Sequence, residues 1–172
     1  VGVLHEEGHR AAEAERAYRA ALYFEPDWYQ ARANLGRLLL NAGRDAEARA
    51  LLSQAVAGKP RAGVLVHLGI AAHRGGDGAA AMRHFQEALG LEPDHVDAVV
   101  NLGNLRQEAR LAANSGEARN RLLQQAEDHY LHALELDKDH PEALLNAAGL
   151  ASVLGRDEAS WDLYRRAVAV AP

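Results

Sequence analysis

A short run near the start of the chain has the residue types of a zinc site. His5-Glu6-Glu7-Gly8-His9 matches the pattern H-E-x-x-H, in which two histidines bind Zn²⁺ and the glutamate acts as general base. This chemistry requires both histidines on one helical face and a third ligand from elsewhere. The repeat pattern described below predicts instead that a helix ends at Gly8, and the following residues 10–18 offer no organised third ligand. We therefore expect no metal site.

The other groups that could do chemistry have simpler explanations. The glycine-rich run at residues 75–78 lacks both the Lys-Ser/Thr that follows and the strand that precedes a phosphate-binding loop. His129 and His132 have a spacing that suits one helical face, but we interpret them as solvated side chains. No Ser/His/Asp set is placed for nucleophilic catalysis. The sequence thus predicts a protein that is not an enzyme and has no cofactor.

Charge and composition limit the classes of partner. The 172 residues include 19 Lys and Arg against 24 Asp and Glu, which gives a formal net charge of −5. We expect no nucleic-acid partner, because no basic stripe is available to neutralise phosphates. We also expect no membrane insertion, because no apolar run approaches the ~20 residues that span a bilayer. The chain has no cysteine, so cysteine usage does not indicate an oxidising or a reducing compartment. We expect the protein in the cytoplasm.

Three series of residues recur along the chain with one shared spacing. Each series has successive separations of 34, 33, 45 and 34 residues. The series are Pro26, Pro60, Pro93, Lys138 and Pro172; Ala21, Ala55, Ala88, Ala133 and Ala167; and Ala14, Ala48, Ala81, Ala126 and Ser160. A period of this length is typical of repeat architectures, and a composition rich in Ala, Leu, Glu and Arg favours helices.

Each period predicts a helix, a short turn and a second helix. The turns carry Gly43-Arg44-Asp45, Gly75-Gly76-Asp77 or Gly155-Arg156-Asp157. A glycine can end the first helix in a left-handed conformation, and an aspartate can cap the next helix. In the second helices small residues flank a large one, as in Ala81, Phe85 and Ala88. This spacing lets two helix backbones approach while the large side chain fills the gap beyond.

These features resemble the tetratricopeptide repeat family, whose 34-residue pattern is W-x2-L-G-x2-Y, then A-x3-F, then P. The matching residues are Leu35-Gly36, Ala48, Leu52 and Pro60; Leu68-Gly69, Ala81, Phe85 and Pro93; Leu102-Gly103, Ala126 and Tyr130; and Ala147-Ala148, Ser160, Tyr164 and Pro172. The leading tryptophan is replaced in every copy. The resemblance implies an all-α, right-handed superhelical solenoid of about five repeats. We expect one domain over 1–172, with repeats at 1–28 (partial), 29–61, 62–95, 96–140 and 141–172.

The resemblance also implies where a ligand would bind. In this family the first helix of each repeat lines a concave groove for a peptide or a partner's helix. The sixth position of each 34-residue repeat lies on this face. The residues there, one per repeat, are Asn34, His67, Asn101 and Asn146, and we call them the ladder. They resemble the asparagine ladder of O-linked N-acetylglucosamine transferases. Further candidates are Arg37, Asn41, His73, Arg74, Asn104, Gln107 and Glu108. An amide can pair with any peptide backbone, but the ladder could equally brace neighbouring helices.

Two irregularities interrupt the repeat. One residue is missing between Pro60 and Gly69, which predicts a tighter turn between repeats. Eleven extra residues lie between Gly103 and Ala126. We expect them to lengthen the two helices of that repeat by about six and about five residues, because the flanking residues are good helix formers. In this interpretation Asn114 caps the second helix and Glu117 reaches back to it. The alternative is a surface loop.

The sequence therefore predicts a protein-binding scaffold. One alternative is the substrate-recruiting arm of a larger enzyme, such as a glycosyltransferase. The other is a scaffold that self-associates as a homo-oligomer, because the first and last repeats would expose apolar faces without polar caps. The chain also starts at Val1 rather than at a methionine, which leads us to expect a fragment of a longer protein.

Overall fold

The computed structural model describes the backbone from Gly2 to Val170 and the side chains from Arg10 to Val170. Within that range the chain forms only helices and turns. The α-helices are α1 (Gly2–Phe24), α2 (Tyr29–Asn41), α3 (Asp45–Gly58), α4 (Ala62–Arg74), α5 (Gly78–Leu91), α6 (Val96–Ala109), α7 (Gly116–Leu136), α8 (Pro141–Val153) and α9 (Asp157–Val170). None of these helices is long and apolar enough to cross a membrane.

The helices belong to two compact units. The N-terminal unit extends to Leu91 and the C-terminal unit begins at Glu92. The N-terminal unit contains α1 and the hairpins α2/α3 and α4/α5, and the C-terminal unit contains the hairpins α6/α7 and α8/α9. We call α2, α4, α6 and α8 the first helices and α3, α5, α7 and α9 the second helices. Neighbouring first helices touch within each unit, α2 with α4 and α6 with α8. The all-α fold of helical hairpins is confirmed, whereas one domain over 1–172 stays a prediction.

In the hairpins α4/α5 and α6/α7 a buried aromatic side chain packs against a glycine of the first helix. Phe85 and Tyr130 are 0% and 1% exposed. A methyl group at Gly69 would lie 2.5 Å from Cε1 of Phe85, and one at Gly103 would lie 2.6 Å from Cε1 of Tyr130. Any larger residue would therefore push the two helices apart. This contact explains why the sequence pairs Gly69 with Phe85 and Gly103 with Tyr130.

The turns inside the hairpins follow the predicted chemistry in part. Gly43, Gly76 and Gly155 have φ angles of 73°, 81° and 70°, the left-handed conformation that glycine adopts without strain. Asp77 caps its helix by accepting a hydrogen bond from the Ala80 N–H at 3.0 Å. This bond holds the pKa of the Asp77 carboxyl below its usual value. Asp45 does not cap, because α3 already begins at that residue.

The connection between the hairpins of the N-terminal unit is short, as predicted. Only residues 59–61 join α3 to α4. In the C-terminal unit residues 137–140 join α7 to α8. The residue missing before Gly69 is therefore taken from the connection and not from a helix.

The eleven extra residues are helical for the most part, but they are divided differently from the expectation. α6 has 14 residues, one more than α2, and a 3-10 turn at Arg110–Ala112 follows it. α7 has 21 residues against 14 for α5. The second helix therefore takes most of the insertion. The predicted cap at Asn114 is wrong, because Ser115 has the extended backbone of an N-cap and its Oγ accepts a bond from the Ala118 N–H at 3.1 Å.

The cap at Ser115 gives a test with a matched control. Ser115→Ala is expected to lower the free energy of unfolding by about 0.5–2 kcal/mol, because it leaves an N–H of α7 without an acceptor. Asn114→Ala changes the neighbouring exposed side chain and should alter stability by less than about 0.5 kcal/mol. Urea denaturation followed by circular dichroism measures both. A larger loss for Asn114→Ala than for Ser115→Ala would contradict the assigned cap.

The expected break at Gly8 is also wrong. α1 is continuous from Gly2 to Phe24. A single glycine costs a helix only about 0.5–1 kcal/mol relative to alanine, and the neighbouring glutamates, arginine and alanines are good helix formers. A continuous helix puts positions 5 and 9 on one face. The side chains of His5, Glu6 and His9 lie outside the described residues. Among residues 10–170 no three potential ligands are close enough to hold a metal ion.

Candidate functional site

All eleven candidate binding residues lie on the first helices. α2 carries Asn34, Arg37 and Asn41; α4 carries His67, His73 and Arg74; α6 carries Asn101, Asn104, Gln107 and Glu108; and α8 carries Asn146. Arg37, Asn41, Arg74 and Glu108 are exposed, and the other seven are half-buried. Each unit thus has its own set on a pair of touching first helices. Their hydrogen bonds divide these side chains into two kinds. Some join neighbouring helices, and others keep an acceptor that a ligand could use.

Arg74 braces the N-terminal unit. Its Nη1 donates to the carbonyl oxygen of Leu40 at 2.8 Å and lies 3.4 Å from Oδ1 of Asp45. Leu40 is in the last turn of α2, where carbonyl groups lack partners within the helix. A cation near this end also interacts favourably with the helix dipole. Arg74 therefore joins the end of α4 to the turn of the preceding hairpin, and a ligand would have to compete for it.

Two ladder residues bond back to their own helices. The amide nitrogen of Asn101 donates to the carbonyl oxygen of Asp97 at 2.7 Å. Nδ1 of His67 bonds in the same way to the carbonyl oxygen of Gly63, four residues earlier. Since a carbonyl oxygen only accepts, the proton of that bond is on Nδ1 of His67. These bonds fix both side chains along the helix surface, and the carbonyl oxygen of the Asn101 amide remains as an acceptor.

Asn104 is the centre of a hydrogen-bond network in the C-terminal unit. Its Oδ1 accepts from the Tyr130 hydroxyl at 2.8 Å and from Nδ2 of Asn146 at 2.8 Å. Its own Nδ2 donates to Oε1 of Glu142 at 3.1 Å. The Tyr130 hydroxyl also lies 3.0 Å from Oε1 of Gln107, so its single hydrogen is shared between two amide oxygens. The network joins α6, α7 and α8.

The tyrosine of this network stays protonated. Burial raises the pKa of Tyr130 well above its ordinary value, and the negative charges of Glu142 and Glu108 raise it further. The hydroxyl is therefore a neutral donor at any physiological pH. The sequence predicted Tyr130 only as a packing residue. The signal that was missed is the tyrosine in place of phenylalanine, opposite polar residues at positions 104 and 107.

A histidine cap fixes α8 beside this network. Nδ1 of His140 accepts a hydrogen bond from the Ala143 N–H at 3.2 Å. Nδ1 is thus unprotonated, and Nε2–H donates to Oδ1 of Asp97 at 3.2 Å. Asp97 therefore holds the start of α8 through its carboxylate and Asn101 through its carbonyl oxygen. Sequence reasoning did not single out this pair, because residues 97 and 140 are far apart in the chain.

Comparisons with known proteins agree with this architecture. Residues 5–67 match the family model described as tetratricopeptide repeat. The structure of MamA is 18% identical over 99% of this chain and 94% of that chain, with a TM-score of 0.71. YrrB, described as a TPR protein with an unusual peptide-binding site, is 17% identical over 98% of this chain and 82% of its own, with a TM-score of 0.63.

A third structure widens the range of ligands found on this fold. The human IFIT1 dimer with m7Gppp-AAAA is 18% identical, with a TM-score of 0.76, and the match covers 92% of this chain and 40% of that chain. No curated protein sequence matches the chain. At these identities the structural likeness concerns the fold alone.

Proposed function

The chain belongs to the tetratricopeptide repeat family, and on that premise we propose that it is a non-catalytic scaffold that binds an extended polypeptide on its first helices. Proteins of this family generally mediate protein–protein interactions, and helical repeats bind peptides along surfaces made by successive repeats. The finer proposal concerns the residues that make the contact. It assigns the contact to the polar side chains of touching first helices, α2 with α4 and α6 with α8.

The pair of amides on α6 and α8 carries the proposal. Asn101 and Asn146 are half-buried, and each uses its amide nitrogen in an internal bond that fixes its orientation. Each amide retains a carbonyl oxygen for a peptide N–H. Side chains that are fixed before binding lose less conformational entropy when a ligand arrives. Such contacts read the backbone of a peptide and not its sequence, so sequence preference would have to come from neighbouring side chains.

Asn101→Ala tests the proposal. A peptide selected from a random displayed library supplies a ligand, and calorimetry measures its affinity for each variant. We expect Asn101→Ala to weaken binding by roughly two- to tenfold, which corresponds to the loss of one hydrogen bond worth about 0.5–1.5 kcal/mol. Asn120→Ala is the matched control, because Asn120 is an exposed asparagine on the second helix α7 of the same unit. Equal affinities for wild type and Asn101→Ala would contradict the assignment.

RNA is the competing ligand that the comparison with IFIT1 raises. The net charge of −5 opposes it, because nucleic-acid affinity comes largely from cations that neutralise phosphates. We expect a short single-stranded RNA, with or without a cap, to show no binding at physiological salt in a fluorescence titration. Saturable binding of the RNA on the same face would replace the peptide proposal.

Self-association is the second candidate, and the exposed face of α9 favours it. Trp161 and Val168 are 67% and 75% exposed and lie seven residues apart on one face of the helix. Exposed apolar patches of this kind mark interaction surfaces. In α7 the residue equivalent to Val168 is Leu134, which is half-buried in a helix that packs against α8. α9 thus presents a face of the type that a following helix covers elsewhere in the chain.

Trp161→Glu measures the strength of this contact. If copies associate through α9, the substitution should raise the dissociation constant by roughly tenfold or more, since buried tryptophans are frequent hot spots. Sedimentation velocity at several concentrations gives the constant. Leu111→Glu is the control, because Leu111 is an exposed apolar residue of the same unit outside α9. A wild-type protein that sediments as a monomer at every concentration would exclude this candidate.

A further inference from the structure

One leucine of the repeat pattern is replaced by a smaller residue in the last hairpin. Leu35, Leu68 and Leu102 precede the glycine position of their first helices and are 1%, 3% and 5% exposed. The equivalent residue of α8 is Ala147, which is 7% exposed. The position is therefore buried in each of these helices, but Ala147 lacks the isobutyl group that fills the space in the others.

A cavity of about 260 Å³ lies where this side chain is missing. It is lined by α7, α8, α9 and the turn between α8 and α9, all within the C-terminal unit. Its apolar lining includes Tyr130, Leu131, Ala147, Leu150, Ala159 and Leu163. Leu150 is 1% exposed and Leu131 is 49% exposed, so the cavity extends from the core to an opening beside α7. A ligand could therefore enter without unfolding of the hairpin.

The polar groups at the cavity already have partners. The Tyr130 hydroxyl donates to Oδ1 of Asn104, a residue of α6 that does not line the cavity. Glu127 and Arg156, the charged residues of the lining, form an ion pair with each other. An entering molecule thus meets carbon surface and no unpaired charge. A charged ligand would lose part of its hydration on entry without compensation.

We propose that this cavity is a binding site for a small, neutral, apolar molecule of benzene to indole size. An apolar cavity of about 150 Å³ is sufficient to bind benzene in an engineered protein, and this cavity is larger. The site is separate from the polar face of the first helices and takes a different class of ligand. The cavity proposal can therefore be tested independently of the peptide proposal.

Titration with benzene, followed through the methyl resonances of the leucines, tests the site. We expect saturable shifts at Leu131, Leu150 and Leu163, because an aromatic ring shifts the resonances of the groups it contacts. Benzoate, which has the same ring and a negative charge, should cause no shift at these residues. Wild-type protein with no saturable shift up to the solubility of benzene would overturn the proposal.

Three substitutions locate the binding. Ala147→Leu restores the side chain of the other repeats and should abolish the shifts. Ala159→Leu narrows the opening from an exposed position of α9 and should weaken binding by roughly tenfold or more, and it decides the question if Ala147→Leu does not fold. Ala169→Leu, at an exposed alanine of α9 outside the cavity, should leave the affinity unchanged. Unchanged binding by folded Ala147→Leu or by Ala159→Leu would overturn the assigned site.

Discussion

Phe85→Ala is expected to lower the free energy of unfolding by about 3–5 kcal/mol, the cost of deleting a fully buried aromatic side chain. Phe85 is 0% exposed and fills the space above Gly69 between α4 and α5. Because the helices are held apart by their other contacts, the space cannot close completely after the deletion. Chemical denaturation followed by circular dichroism measures the loss. Gln86→Ala changes the exposed neighbour on α5 and should alter stability by less than about 0.5 kcal/mol.

Gly69, which lies opposite Phe85, provides a second test, because steric clash and helix propensity predict opposite changes in stability. Gly69→Ala adds one methyl group 2.5 Å from the Phe85 ring, and overpacking of this kind typically costs about 1–3 kcal/mol. Helix propensity alone would make the same substitution stabilising by about 0.5–1 kcal/mol. We expect the steric cost to exceed the propensity gain. A Gly69→Ala protein more stable than wild type would contradict the packing described here.

Asn104→Ala is expected to lower the free energy of unfolding by about 1–3 kcal/mol, the second largest effect. The substitution removes three hydrogen bonds and leaves the Tyr130 hydroxyl and the Asn146 amide with fewer partners below the surface. Asn101→Ala is the internal comparison, because it breaks only a bond to its own helix. We expect it to cost less than Asn104→Ala. Thermal and urea denaturation of the two variants under identical conditions give the difference.

A double-mutant cycle separates the network from simple truncation. Tyr130→Phe removes the hydroxyl and keeps the ring against Gly103. If the two side chains act together, the double variant of Asn104→Ala and Tyr130→Phe should lose less stability than the sum of the single variants. Strict additivity would mean that the hydroxyl and the amide contribute independently, and the network would then have no cooperative role.

The fold follows from features that a sequence states locally. A glycine in a turn and a small residue opposite an aromatic one each admit few backbone arrangements, so Gly76 and Gly69 could be interpreted correctly from their neighbours. Residue spacing also sets repeat length, and the short connection before α4 was therefore predictable. The cap of α7 was assigned to the wrong residue because two neighbouring residues are almost equally good caps. Asn114 and Ser115 are both good caps, and only the backbone conformation selects Ser115.

For the candidate site, the sequence predicted which helix positions the residues occupy but not which hydrogen bonds they make. Repeat register places Asn34, Asn101 and Asn146 at equivalent points of their helices, and on that basis they appear interchangeable. Their hydrogen bonds differ because the neighbouring residues differ. Asn146 donates to Asn104 on another helix, whereas Asn101 donates to its own. Such choices depend on side chains more than 40 residues away in the sequence, and a repeat pattern does not record them.

Mapping a bound peptide by NMR is the most direct measurement of the proposed function. A peptide selected on the protein is added to ¹⁵N-labelled chain, and the shifted backbone and side-chain amide resonances are assigned. We predict that the shifts concentrate on the first helices, α2 and α4 or α6 and α8, and include the side-chain amide of Asn101 or Asn34. Shifts confined to the second helices, with the amides of the first helices unmoved, would contradict the proposal.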